Sequence, residues 1–214
     1  MLQAVLWDHD GVLVDTEKFY FQANRELLEE VGVSLSEADY RRYLLIEGTG
    51  AWHLAAKRGC SVEQIAALKR RRDARYRELL LSEDVTIPGV PEMLAALQPR
   101  MRMAIVTSSL REHFDAIHSR TDIPRYFELI LTREDYQLSK PNPEPYTTAV
   151  QRLGLQASQC LVIEDSERGL IAAKAAGLPC WVIPSHLTRG SSFAAADRSF
   201  DSLADLRSAL IASC

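Results

Sequence analysis

The chain has 214 residues, of which 47% are hydrophobic and 25% are charged, so it can bury a sizeable core and global disorder is not expected. Its 25 Lys and Arg residues and 29 Asp and Glu residues give a formal charge of −4, which provides no electrostatic reason to expect nucleic-acid binding. An anionic ligand would have to be held by a local positive site, not by the field of the whole protein.

Five short apolar runs are predicted to be buried strands: residues 2–7, 102–106, 128–131, 160–164 and 180–183. Their apolar residues do not alternate with polar ones, as expected for parallel strands covered on both faces. Helical patterns separate the later runs, with Pro91 suited to the first turn of one helix. Gly154 and Gly177 are suited to end helices over 144–153 and 167–176. The alternation predicts an α/β fold with a doubly wound, mostly parallel sheet.

The segment between the first two strands differs, because it contains helical patterns throughout and no strand pattern. Ser34-x-x-Glu37 and Ser61-x-x-Gln64 both fit capping boxes at helix starts. Pro88-Gly89 marks the return to the strand–helix alternation. The predicted domains are an α/β catalytic core of residues 1–15 and 86–214 and an inserted helical cap of residues 16–85.

Chemically active side chains follow the predicted strands, where each strand ends. They are Asp8 and Asp10 after the first strand, Thr107, Ser108 and Ser109 after the second, Lys140 after the third, and Glu164 and Asp165 at the end of the fourth. In an open parallel sheet, ligands bind beyond the carboxyl ends of the strands. We therefore expect these groups to converge at one edge of the sheet.

Each of these groups can perform a task that phosphoryl transfer requires. A carboxylate such as Asp8 can attack phosphorus and form an acyl phosphate, and a second one such as Asp10 can transfer protons. Crowding these two carboxylates with Asp165 beside a phosphate is strongly repulsive, and a hard cation such as Mg²⁺ relieves the repulsion. Lys140 adds positive charge, and Thr107 can bind phosphate oxygens.

Four segments in order resemble the four motifs of the haloacid dehalogenase superfamily. They are Asp8-x-Asp10-Gly11-Val12-Leu13-Val14-Asp15, Val106-Thr107-Ser108, Lys140-Pro141 and Ile163-Glu164-Asp165-Ser166-x-x-Gly169. The resemblance spans essentially the whole chain. The helical insertion resembles the α-helical cap of the subfamily that contains beta-phosphoglucomutase, phosphoglycolate phosphatase and small sugar-phosphate phosphatases.

The resemblance implies a role for each motif residue. Asp8 and Asp10 would be the catalytic nucleophile and general acid/base. Mg²⁺ would be held by Asp8, by Asp10 through its backbone carbonyl, by Asp165 and, directly or through another ligand, by Glu164. Thr107, Ser108 and Lys140 would bind the substrate phosphate. The cap would close over the site and select the substrate.

We therefore predict a Mg²⁺-dependent phosphatase that hydrolyses a small phosphorylated metabolite, above all a sugar phosphate, through an aspartyl phosphate. A phosphomutase is the main alternative, but beta-phosphoglucomutases carry a histidine at the position of Tyr20 and an arginine near Gly50, which this chain lacks. Dehalogenases and phosphonatases have no aspartate at the position of Asp10. A non-catalytic binding protein is a further alternative, which the intact motif residues disfavour.

His9 and the basic run of residues 69–77 leave more than one interpretation open. The resembled family usually has an apolar residue at the position of His9. We interpret His9 as a buried, hydrogen-bonded histidine that points away from Asp8. The basic run is interpreted as a solvated helix face, with the alternative that one arginine reaches the substrate or that the run steers anions. Trp52 is an open candidate for lining the substrate pocket.

The cysteines and the first strand indicate the expected cellular setting. Cys60, Cys160, Cys180 and Cys214 are dispersed, which predicts free thiols in a reducing compartment. The first apolar run is too short for a signal peptide or a membrane helix, so we expect a cytoplasmic protein. The expected partner is a small phosphorylated metabolite, with no nucleic acid and no membrane, and the chain is expected to be a monomer or a homodimer.

Overall fold

Six parallel strands form one sheet in the order β3-β2-β1-β4-β5-β6 in the computed structural model, which describes residues 2–213. The strands are β1 (Ala4–Trp7), β2 (Arg102–Val106), β3 (Leu129–Leu131), β4 (Cys160–Glu164), β5 (Cys180–Val182) and β6 (Arg198–Ser199). The predicted α/β class with a parallel sheet is confirmed. The sequence does not predict β6, because both of its residues are exposed and form no apolar run.

β1 lies in the middle of the sheet and pairs in register with β2 on one side and β4 on the other. Ala4 is opposite both Arg102 and Cys160, and Trp7 is opposite both Ile105 and Ile163. Every residue of β1 is buried, which explains why its sequence is apolar without alternation. The side chains that follow β1 are therefore placed between the ends of two neighbouring strands.

The chain divides into an α/β unit, which runs up to Asp15 and resumes at Val85, and a helical unit, Thr16–Asp84. The helices of the α/β unit are α5 (Val90–Leu97), α6 (Arg111–Ile117), α7 (Glu144–Leu153), α8 (Glu167–Ala175) and α9 (Leu203–Ala212). Short 3₁₀ turns cover His118–Arg120, Ile123–Tyr126, Arg133–Asp135 and Ala157–Gln159. Within residues 2–213, every helix is too short or too polar to cross a membrane.

One face of the sheet packs against α7 and α8. The buried side chains of this layer include Leu6, Val106, Val162, Tyr146 and Leu170. Strand residues two apart share a face, so the same alternation directs Val5 and Trp7 to the opposite face. Both faces are covered, and the sheet presents its functional groups at the strand ends.

The helical unit contains α1 (Glu17–Glu29), α2 (Glu37–Tyr40), a π-helix (Arg41–Ile46), α3 (Trp52–Lys57) and α4 (Val62–Leu80). The capping box expected at Ser61 is present, because its side chain accepts from the Gln64 N–H while the Gln64 side chain accepts from the Ser61 N–H. The one expected at Ser34 is wrong, because Ser36 is the N-cap of α2 and accepts from the Asp39 N–H.

Candidate active site

Asp8 directly follows β1 and is held at the carboxyl end of the sheet. Its backbone N–H donates to the Ile163 carbonyl at 2.9 Å, so the pairing with β4 extends one residue beyond β1. Asp8 is 9% exposed, which leaves a small part of it accessible to a ligand. The backbone thus fixes a nearly buried carboxylate at the point where the central strand ends.

The ammonium group of Lys140 joins the ends of three strands. Its three hydrogens have three acceptors, since Nζ donates to Asp8 Oδ1 at 2.5 Å, to Glu164 Oε1 at 2.8 Å and to the Val106 carbonyl at 3.0 Å. Burial alone would lower the pKa of Lys140, but the charges of Asp8 and Glu164 outweigh it and hold that pKa above its usual range. Lys140 therefore stays positively charged.

Both carboxylate oxygens of Glu164 accept hydrogen bonds from the protein. Oε1 accepts from Lys140 and from the Tyr146 hydroxyl at 2.7 Å. Oε2 accepts from the Ser166 hydroxyl at 2.8 Å and from the backbone N–H groups of Ser166 and Asp165 at 3.2 Å. Burial acts to raise the pKa of this carboxyl, but Lys140 and the hydrogen bonds bring it below the usual value. Glu164 is therefore a fixed buried anion.

Three donors converge on Oδ2 of Asp10. The Ser109 hydroxyl lies 2.9 Å away, the Thr107 hydroxyl 3.2 Å away and His9 Nδ1 3.3 Å away. The backbone N–H of Ser109 donates in turn to Thr107 Oγ1 at 3.0 Å, which orders the two hydroxyl groups relative to each other. The Asp10 side chain is 21% exposed, so the carboxylate is oriented by the protein and still open to solvent.

The turn after Asp10 requires glycine at position 11. Gly11 has φ +86°, and a Cβ added to it would overlap the carboxylate of Asp165. The N–H groups of Val12, Leu13 and Val14 all point to the His9 carbonyl, which closes this turn tightly. Asp165 is 5% exposed, and its Oδ2 accepts from the Thr188 hydroxyl at 3.3 Å. The missing side chain of Gly11 thus lets the Asp10 turn approach Asp165.

Asp8, Glu164 and Asp165 form a group whose chemistry fits a divalent cation. One carboxylate oxygen of each lies within 4.8 Å of the others. Burial and the charge of Glu164 raise the pKa of Asp8 to about 8, although Lys140 acts in the opposite direction. Burial and Glu164 together oppose ionisation of Asp8 more strongly than Lys140 favours it. Carboxylate oxygens are the ligands that Mg²⁺ prefers, so the donor set suits this ion.

The predicted site residues lie in this network, and Ser108, which is a hydrogen-bond partner of the Tyr136 side chain, is the most exposed of them. Ser108 is exposed, whereas the neighbouring Ser109 contacts Asp10. The sequence predicts that Ser109 lies at this edge of the sheet but indicates no role for it, and it gives no indication of Tyr146. The position of Ser109 in the hydroxyl run after β2 is a usable signal for its role. Tyr146 has no such signal, since a tyrosine on the apolar face of a helix is usually a core residue.

The helical unit contains a buried cation of its own. Arg72 is 9% exposed, and its Nη1 donates to Asn24 Oδ1 at 2.9 Å. Its guanidinium lies 4.7 Å from the centroid of the Tyr20 ring and 5.8 Å from that of Trp52. The neighbouring Arg71 is exposed and forms a bidentate pair with Glu30 at 2.6 and 2.7 Å. The basic run therefore contains one buried arginine beside a solvated one.

Known proteins resemble the chain over most of its length. The sequence pattern of the haloacid dehalogenase-like hydrolase family matches residues 5–183. Protein CbbY of Rhodobacter capsulatus is 37% identical over 92% of this chain and 91% of its own length. The phosphorylated carbohydrates phosphatase of Thermotoga maritima is 33% identical over 83% of this chain and 82% of its own. A crystal structure of a CbbY mutant from Rhodobacter sphaeroides in complex with xylulose-(1,5)bisphosphate has a TM-score of 0.82 at 28% identity, and 96% of each chain is covered.

Proposed function

The chain belongs to the haloacid dehalogenase-like hydrolase family and is a phosphoric monoester hydrolase, and we propose that it uses Mg²⁺ to dephosphorylate a small phosphorylated sugar through an aspartyl phosphate on Asp8. The observation that carries the proposal is the placement of Asp8 and Asp10. Asp8 is a nearly buried carboxylate held by Lys140, and the Asp10 carboxylate is fixed by hydroxyl donors and open to solvent.

In the first half of the proposed reaction, a carboxylate oxygen of Asp8 forms a bond to phosphorus while the ester P–O bond breaks. Asp10 gives its proton to the leaving alkoxide. In the second half, Asp10 takes a proton from water, whose oxygen forms a new bond to phosphorus. The acyl-phosphate P–O bond breaks, which releases inorganic phosphate and restores the Asp8 carboxylate. When the phosphoryl group is on Asp8, the Lys140 N–H that Asp8 accepts in the free protein and the Thr107 hydroxyl turn to the phosphoryl oxygens, and Ser108 also binds them.

Asp8, Asp165 and the backbone carbonyl of Asp10 are the proposed ligands of Mg²⁺. Bound Mg²⁺ would neutralise the crowded carboxylates and polarise the phosphoryl oxygens. Glu164 is close enough to take part. However, both of its oxygens already accept hydrogen bonds from the protein, which favours an indirect role in which Glu164 orients Lys140.

The proposed substrate class rests on relatives whose names specify phosphorylated carbohydrates. The relative from Thermotoga maritima is named for this class, and the compared CbbY structure contains a sugar bisphosphate. Phosphomutase activity is the alternative that the sequence leaves open. The tyrosine at position 20, where beta-phosphoglucomutases carry a histidine, supports hydrolysis instead. The free thiols of Cys60, Cys160 and Cys180 agree with the cytoplasm as the proposed location.

The test is an assay of phosphorylated sugars and p-nitrophenyl phosphate with Mg²⁺. We expect inorganic phosphate to accumulate, whereas an isomerised sugar phosphate would indicate a mutase. Asp8→Asn should abolish turnover and leave the protein folded, and the matched control Asp115→Asn changes an exposed aspartate of α6 and should remain active. Full activity of Asp8→Asn would overturn the proposal, provided that mass spectrometry shows the asparagine to be intact.

A further inference from the structure

Two buried histidines form a hydrogen-bonded chain that ends on Asp10. His9 Nδ1 is 3.3 Å from Asp10 Oδ2, His9 Nε2 is 2.8 Å from His118 Nε2, and His118 Nδ1 is 2.7 Å from Thr121 Oγ1. The Phe114 ring packs against both imidazoles, with centroid distances of 5.1 and 4.5 Å. His9 is 0% exposed, and Thr121 at the other end is partly exposed. We call His9, His118 and Thr121 the histidine chain.

With both imidazoles neutral, the Asp10 carboxylate at one end sets the direction of every hydrogen bond among these groups. An ionised carboxylate can only accept, so His9 Nδ1 must carry a hydrogen. A neutral imidazole has one N–H, and therefore His9 Nε2 accepts from His118 Nε2–H. His118 Nδ1 is then without a hydrogen and accepts from the Thr121 hydroxyl. The dipoles of all three bonds thus point toward Asp10, and bonds aligned in this way strengthen one another.

We propose that the histidine chain is a positioning device for the general acid/base. His9 is the third donor on Asp10 Oδ2, beside the Thr107 and Ser109 hydroxyls. An oxygen that accepts three hydrogen bonds is a poor place for a proton, so the proton that Asp10 transfers is carried by Oδ1. His118 and Thr121 fix the tautomer and the ring orientation of His9. This inference rests on the proposed role of Asp10, and it concerns a position where the resembled family usually has an apolar residue.

Steady-state kinetics of variants at His118 and Thr121, the two members of the histidine chain that do not contact Asp10, provide the first test. His118→Phe keeps a ring beside Phe114 but removes the donor to His9, and Thr121→Val removes only the last hydroxyl. Each should lower kcat by roughly three- to tenfold, the effect of one lost hydrogen bond, while KM changes by less than about twofold. His118→Gln, whose amide can donate to His9 Nε2, and Thr121→Ser should restore most of kcat.

Ser119→Ala is the matched control, because the Ser119 hydroxyl donates to the Ala116 carbonyl outside the histidine chain. It should leave kcat and KM unchanged. If His118→Phe does not fold, Thr121→Val and Thr121→Ser still test the inference, because Thr121 is partly exposed and its substitution should not prevent folding. Wild-type kcat in folded His118→Phe and Thr121→Val would overturn the inference.

Nitrogen-15 NMR of the imidazoles provides the second test, because a role in packing alone does not fix a tautomer. We expect His9 to be protonated on Nδ1 and His118 on Nε2, with resonances assigned from the His9 and His118 variants. A hydrogen on His9 Nε2 would contradict the proposed direction. This failure is distinct from failure of the proposed function, which would appear as full phosphatase activity in Asp8→Asn.

Discussion

The carboxylate of Glu164 occupies the space that a Cβ on Gly169 would take. A methyl group built there overlaps both oxygens and the carboxyl carbon of Glu164. Gly169 lies in the first turn of α8, where its N–H donates to the N-capping hydroxyl of Ser166 at 3.1 Å. The absence of a side chain at position 169 therefore lets Glu164 reach Lys140. A larger residue in the first turn of α8 would displace the carboxylate that pairs with this lysine.

The first prediction concerns Gly169→Ala. Helix propensity alone would make alanine more stable than glycine by up to about 1 kcal/mol. The overlap with Glu164 should reverse this sign and cost about 1–3 kcal/mol, because the carboxylate or the helix must move. We also expect kcat to fall, since Glu164 shifts relative to Lys140. Urea unfolding and phosphatase assays with added Mg²⁺ measure the two effects.

A double-mutant cycle isolates the contact between the two residues. In a Glu164→Ala background, the space is empty, and Gly169→Ala should be neutral or stabilising. Equal destabilisation by Gly169→Ala in both backgrounds would show that the backbone, and not the Glu164 carboxylate, requires glycine at this position.

The second prediction concerns Tyr146→Phe, which removes the hydroxyl that donates to Glu164 Oε1. Both residues are fully buried, so the oxygen loses a partner that water cannot easily replace. We expect a loss of about 1–2 kcal/mol in the free energy of unfolding and a lower kcat, because Glu164 then orients Lys140 less firmly. Tyr126→Phe is the control, since its hydroxyl accepts from the exposed Arg125. Equal effects of the two variants would contradict the prediction.

The sequence predicts the strands β1 to β5 because each is recognisable as a short apolar run. β1 and β4 are fully buried, so each appears as an uninterrupted apolar run, and the polar residues directly after the runs locate the candidate site. β6 is not predictable from such a pattern, because its two residues are exposed and its place in the sheet depends on pairing with β5.

Contacts between residues far apart in the chain are what the sequence does not reveal. His9 and His118 are 109 positions apart, and Tyr146 and Glu164 are 18 positions apart on a helix and a strand. Neither His118 nor Tyr146 belongs to a motif, and only the folded chain places them beside the residues of the candidate site. The same holds for Arg72, which is buried whereas Arg71 is exposed, although the two are adjacent in the uniformly basic residues 69–72.

The third prediction compares these two adjacent arginines of α4. Arg72→Met should lower the free energy of unfolding by about 1–3 kcal/mol, because Asn24 loses a buried donor and the Tyr20 ring loses its cation–π contact. Arg71→Met removes an exposed pair with Glu30 and should cost less than about 1 kcal/mol. Chemical unfolding of both variants in the same buffer makes the comparison. A larger loss for Arg71→Met would contradict the assignment of Arg72 as the structural residue of the basic run.

The fourth prediction concerns pH in the absence of divalent cations. Burial and the charge of Glu164 raise the pKa of Asp8 from 3.8 to about 8. Between these values, the folded protein keeps a proton at Asp8 that the unfolded chain has released. The contribution of Asp8 to stability is therefore full below about pH 3.8 and is lost as the pH rises through about 8. The lowered pKa of Glu164 acts only at more acidic pH. With EDTA, the free energy of unfolding should therefore fall between about pH 5.5 and 7.5, by at most about 1.4 kcal/mol per pH unit.

Comparison with Asp8→Asn isolates Asp8, because groups that do not interact with it contribute equally to both proteins. Glu164 and Lys140 do interact with Asp8, but they titrate outside this pH range. The wild type should lose stability relative to Asp8→Asn as pH rises from 5.5 to 7.5. Mg²⁺ should stabilise the wild type more at pH 7.5 than at pH 5.5, because the cation binds the ionised carboxylate and competes with its proton. Parallel pH dependence of the two proteins in EDTA would show that Asp8 is already ionised in the metal-free fold. In that case Lys140 alone would balance the charge of Asp8, and the carboxylate cluster would not need a cation for electrostatic reasons.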